Sequence, residues 1–203
     1  MALRWGELRL AALQKLFSAE GDSINQADSV VREYLAAMPQ AANEAVQRLC
    51  AEGHAPRRRV QIEKEAGRPA MADLGQTAPD LYRAEPLEAY QFDENGIPRP
   101  AQGLLLAAGR YLVLPAALSG PVEVWYDAWP PALAPATPDE TEIELADGAE
   151  LLIPLYIASQ LYKEDDSSIA TQYRNEFEAA LANMRPAGHG VQGGSFYSEK
   201  GWC

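Results

Sequence analysis

Hydrophobic periodicity changes twice along this chain, and that change restricts the fold more than any single motif. Residues 1–53 carry apolar side chains at helical spacing, with Leu8, Leu10, Leu13, Leu16 and Phe17 forming a stripe over "GELRLAALQKLF". Gly21 then stops the first helix, and Asp22 or Ser23 is the expected cap of a second through Ile24, Val30, Val31, Tyr34, Leu35 and Met38. Pro39 predicts a kink or a fresh start before Ala42, Val46 and Leu49, and Gly53 ends the segment.

Residues 54–147 switch to alternation and hold most of the prolines. "RRRVQIEKE" predicts a polar strand with Val60 and Ile62 on one face, whereas "AGRPAMADLGQTAPD" is too rich in Gly, Pro and Ala for a regular element. "PLEAYQFDENGIPR" predicts a strand ending in an Asn95-Gly96 hairpin turn, and "GLLLAAGRYLVLP" a second hairpin around Ala108-Gly109. The strongest strand is "GPVEVWYDAWPP", where Val122, Val124 and Tyr126 alternate with Glu123, Trp125 and Asp127. Five or six such short strands imply a small antiparallel sandwich or barrel.

Residues 148–185 return to helix, after a short strand around Ile143 and Leu145. Asp147 is the expected cap of a helix from about Ala149 to Glu164, with Pro154 in its first turns. Leu161 and Tyr162 of that helix are expected in the bundle core, and Asp165, Asp166, Ser167 and Ser168 supply the break and the next cap. Ile169, Tyr173, Phe177 and Leu181 follow at four-residue spacing, which puts them on one helix face, expected to join the bundle core, before Pro186. The fold class read from this order is α+β: a helical bundle formed by both chain ends, with a small antiparallel β domain inserted between its second and third helices.

Residues 186–203 are a glycine-rich tail bearing Phe196, Tyr197 and Trp202. Such a segment cannot pack on itself, yet three exposed rings are costly, at roughly 25 cal/mol per Å² of apolar area. The tail is therefore expected to become ordered against a partner, the alternative being a tail docked on its own domain or loose.

Side chains for catalysis are sparse. The two histidines, His54 and His189, fall in loop-like, Pro- or Gly-adjacent sequence and are expected to be solvated, and no nucleophile elbow, P-loop or dinucleotide fingerprint occurs. "EDDSS" lacks the alternating ligands and central glycine of a calcium loop. The run Asp139, Glu140, Glu142, Glu144, Asp147 and Glu150 reads as a solvated or lumen-facing acidic surface, and neither metal nor cofactor is expected. Cys50 and Cys203 match neither a disulfide framework nor a zinc spacing; Cys50 is expected to be a small buried residue on a helix. The charges of Arg4, Glu7 and Arg9 near the start argue against a secretory signal, and no apolar run is long enough to span a membrane. A formal charge of −12 argues against wrapping nucleic acid but suits a wall that DNA slides past. Arg57, Arg58 and Arg59 are the one basic cluster, readable as an edge-strand guard or as a charge patch toward an acidic neighbouring subunit.

"LLIPLYIASQLYKEDDSSIATQYRNEFEAALANM" resembles the closing helical hairpin of tailed-bacteriophage head–tail connector (adaptor) proteins. The matching positions are Trp125, Tyr126 and Pro130, then Pro154, Tyr156, Ala158, Leu161, Tyr162, Asp165, Asp166, Ala170, Tyr173, Phe177 and Leu181. The first two helices are also similar to that family's opening helices. The resemblance implies a non-enzymatic virion protein of the neck, forming a cyclic ring of typically twelve copies. Its expected partners are the portal protein above, a neck or tail protein below, and DNA passing through the lumen without specific binding. Phe196, Tyr197 and Trp202 would reach a partner. Two rivals remain: a tail or baseplate component whose β insert binds protein or carbohydrate through Trp125, Trp129 and Asp127, and a metal-assisted hydrolase built on Asp and Glu.

Overall fold

The computed structural model describes residues 2–17, 24–25, 27–163 and 165–184. It is an α+β fold with antiparallel sheets. A two-residue strand β1 (Leu3–Arg4) leads directly into helix α1 (Trp5–Phe17), whose Trp5, Leu8, Ala12, Leu13 and Leu16 are buried. Helix α2 (Ser29–Leu49) starts later than its apolar pattern implies. Its cap is Asp28, not Asp22 or Ser23: the Asp28 carboxylate accepts from the Val30 amide at 2.8 Å, and Ile24 lies before the helix. Pro39 does not divide the helix either. Met38, Pro39, Ala41 and Ala42 are all buried, so packing offsets the single backbone hydrogen bond that proline removes. A wide helical turn, Cys50–His54, closes the segment with Gly53 at φ 100°, a conformation that favours glycine.

The middle of the chain forms two antiparallel sheets around one core. Strands β2 (Arg57–Lys64), β8 (Gly120–Ala128), β4 (Leu81–Phe92) and β5 (Pro98–Pro100) make the larger, in that spatial order. The smaller pairs β3 (Ala70–Asp73), β7 (Tyr111–Leu114) and β6 (Leu105–Ala107). Val122, Val124, Ile62 and Ala89 from the larger sheet meet Leu112 and Leu114 from the smaller. The segment expected to be irregular supplies β3 and a one-turn helix α3 (Leu74–Thr77), capped by Asp73 through the Gly75 amide at 3.0 Å. Alternation was diluted there by Gly, Pro and Ala; pairing with β7 rescues the strand. The Ala108-Gly109 turn is as expected, with both residues at positive φ between β6 and β7. The other hairpin uses a longer turn. Asp93 organises it by accepting from the Asn95 and Ile97 amides at 3.0 Å each.

Strand β9 (Glu142–Ile143) pairs with β1, so the chain's beginning meets the entry to its last helices. A tight helical turn, Ala146–Leu152, precedes α4 (Ile153–Leu161), and α5 (Ser167–Asn183) follows. Asp147 is not the cap of this helix: it sits at φ 60° and its carboxylate lies 3.2 Å from His54 Nδ1. Asp166 does cap α5, accepting from the Ser168 amide at 2.8 Å. Helix α4 sits against α1, α2 and α5, which explains why Ile153, Pro154, Tyr156, Ile157, Ala158 and Ser159 are buried over much of its circumference. No described helix is long and apolar enough to cross a membrane.

Candidate functional site

Two places gather side chains with more than a packing role. The first is the α4–α5 hairpin. Tyr162 ends α4 and stacks on Tyr173 of α5, ring centroids 6.0 Å apart. Tyr162 donates its hydroxyl to the Leu16 carbonyl, and Tyr173 donates to the Lys15 carbonyl at 3.1 Å. Those carbonyls belong to the last turn of α1, where no intrahelical donor exists, so two tyrosines from the far end of the chain satisfy them. Tyr34 of α2 donates to Asp165, and that bond, then burial, pushes its hydroxyl pKa up to about 12. The hairpin is thus tied to both N-terminal helices. Phe177 and Leu181 are buried, and Leu161, Tyr162 and Tyr173 pack partly buried against the same helical core. Ile169 is half-buried and is not among the residues packed on that core.

The second place is the outer face of the four-stranded sheet. Its register sets Arg57, Asp127 and Arg83 in one cross-strand row, Arg59, Trp125 and Glu88 in the next, and Gln61, Glu123 and Tyr90 in the third. At one end the Asp127 carboxylate, with its side chain only 3% exposed, accepts from Arg83 at 2.8 and 3.2 Å. Arg57 lies between Asp127 at 3.7 Å and Glu88 at 2.5 Å. At the other end Trp125, Tyr90, Phe92 and Pro98 line an open apolar groove, with Arg57, Glu88 and Glu123 at its margin. Glu123 is fully engaged, since Arg59 donates to one oxygen at 2.9 Å and the Trp125 indole to the other at 2.9 Å.

All three arginines of the basic cluster therefore meet carboxylates of their own chain: Arg57 with Glu88 and Asp127, Arg58 with Asp80 at 2.8 Å, and Arg59 with Glu123. β2 does lie at a sheet edge. Asp80 also accepts from the Tyr126 hydroxyl at 2.8 Å; burial first and this bond second push that hydroxyl up to about 12. The platform of Trp125, Trp129 and Asp127 is divided. Trp125 and Asp127 share the outer face, while Trp129 leaves it and pairs with Tyr82, centroids 4.2 Å apart, in a crevice beside Val46, Pro130 and Pro131. Phe196, Tyr197, Trp202 and His189 lie outside the described residues.

His54 is not the solvated loop histidine expected: it is 1% exposed, held against Asp147. The acidic run is not solvated throughout either, because Glu150 is buried in the turn before α4. Neither was legible locally, since the sequence around each is polar and rich in glycine or alanine. Cys50 is buried as expected, and burial, with the Asp127 charge second, pushes its thiol up to about 12. Among the described residues no group of three or more His, Cys, Asp or Glu side chains is arranged to hold a metal ion. Compared with known protein families and with curated proteins, the chain matches none.

Proposed function

We propose that this chain is a non-enzymatic virion structural protein, a ring-forming head–tail connector that docks under a portal and continues the DNA channel to the tail. The carrying observation is the tyrosine-tied α4–α5 hairpin. The residues on which the resemblance to adaptor proteins rests occupy defined roles in it. Pro154 lies in the first turn of α4, Tyr162 and Tyr173 bridge to α1, Asp165 receives Tyr34, Asp166 caps α5, and Phe177 and Leu181 enter the core. A rigid helical bundle of this kind, carrying an inserted β domain, makes a stackable wall. Its two sides differ, as a closed head-to-tail ring requires. Exposed Asp139, Glu140, Glu142 and Glu144 offer one face that would repel DNA and keep it moving through a lumen. The one described histidine, His54, is buried and engaged by Asp147.

A second reading, a tail or baseplate component that binds a partner through its β domain, is favoured by one observation, the apolar groove around Trp125. Mixing the purified protein with the portal protein of the same genome and imaging the particles separates the two. An added ring below the portal, sharing its symmetry, supports the connector. Bare portals at high protein excess refute it and turn attention to the groove.

A further inference from the structure

We infer that the segment Ser195–Trp202 of this chain docks in the groove that Trp125, Tyr90, Phe92 and Pro98 form on its own four-stranded sheet. This docking belongs to the free subunit and is independent of ring assembly. Charges at the groove's margin pair with one another: Glu88 meets Arg57, and Glu123 accepts from Arg59 and the Trp125 indole. The floor offers ring faces and edges and a proline, with Phe92 48% exposed, so the fitting occupant brings aromatic rings.

The chain supplies that occupant. "SFYSEKGW" places Phe196, Tyr197 and Trp202 within eight residues, behind the glycine-rich "AGHGVQGG". The place where the described chain ends then decides between its own groove and a distant one. Met184 lines a crevice with His54, and His54 stands three residues before Arg57, which borders the groove. Three residues of strand-like chain span about 10 Å. From Met184 to Ser195 there are eleven residues, with a greatest reach of about 36–40 Å. A leash matched to its span gives an effective concentration on the order of millimolar, which favours the chain's own segment over a second copy in dilute solution.

The full-length protein carries its own test. Cys50 is buried and its thiol is pushed up to about 12, so a nitroxide reagent modifies Cys203 selectively. With the label in place in isotope-labelled protein at low concentration, paramagnetic broadening is expected at the Trp125 indole N–H and at the Tyr90 and Phe92 amides. Replacing Phe196, Tyr197 and Trp202 together by alanine, or Phe92→Ser on the groove side, should abolish the broadening and leave the rest of the spectrum in place. Broadening that is absent, or centred elsewhere, overturns the inference. Broadening seen only when thiol-blocked labelled protein is mixed with nitroxide-bearing unlabelled protein also overturns it, and makes the occupant a second copy.

Discussion

Truncating Phe177 to alanine removes the largest fully buried side chain of the α4–α5 hairpin. Phenylalanine-to-alanine changes in cores cost about 3–5 kcal/mol, the range reflecting how far the site can collapse. Here the ring meets Tyr156 edge-on, centroids 5.1 Å apart at 71°, and the Arg174 guanidinium lies 5.8 Å from its centroid. An edge-to-face pair adds about 0.5–1.5 kcal/mol beyond area burial, so the cost should fall in the upper part of the range, about 4–5 kcal/mol. For a chain of this length each kcal/mol lowers Tm by about 2–4 °C, which gives a drop of about 8–20 °C. Thermal and urea unfolding followed by helical far-UV dichroism measure it. Ile169→Ala is the internal control, because Ile169 shares the sequence stripe but not the core, and should cost about 1 kcal/mol. A drop below about 4 °C for Phe177→Ala, or equal costs at the two positions, would refute the assignment of Phe177 to the centre of the helical core.

Asp166→Ala should cost about 1 kcal/mol by uncapping α5, measurable as a shift in urea midpoint with unchanged slope. Alkaline stability depends on Tyr34 and Tyr126, whose folded pKa values near 12 exceed the ordinary 10.0. Their protonated forms stabilise the fold fully below pH 10, and that contribution is lost between pH 10 and 12, so Tm should fall there and fall less in Tyr126→Phe. On the acid side, the Arg110 guanidinium lowers Asp73, and the Ile97 amide with Arg99 lowers Asp93. Their stabilisation is present above pH 3.8 and lost as pH falls below it. In native protein at neutral pH a thiol reagent should modify Cys203 and spare Cys50, with Cys50 reacting only after denaturation.

Local sequence carried the element types wherever burial is one-sided. The strand Gly120–Ala128 and the α4–α5 hairpin were readable because alternation and four-residue spacing are direct consequences of strand and helix geometry. The segment from Ala70 to Thr77 was not, since its few apolar residues gain their regularity from β7. The helix starting at Ser29 was misplaced because several polar residues before it could each cap, and only the folded chain selects Asp28. Of the candidate site, Trp125 and Asp127 were readable as one face of a strand; Tyr90, Phe92 and Pro98 were not, because cross-strand register makes them neighbours.

By itself, then, the sequence determined an α+β chain with helical ends, a β-rich middle and an aromatic tail, because periodicity and turn chemistry are local properties. Tertiary structure alone decided that Tyr162 and Tyr173 close the end of α1, that His54 is buried against Asp147, and that Trp125 joins the groove while Trp129 leaves it. Each of these joins residues about 90 or more positions apart, or turns on which way one ring faces. Hydrogen bonds and ion pairs of that kind are fixed by how the elements pack, and no window of sequence contains both partners.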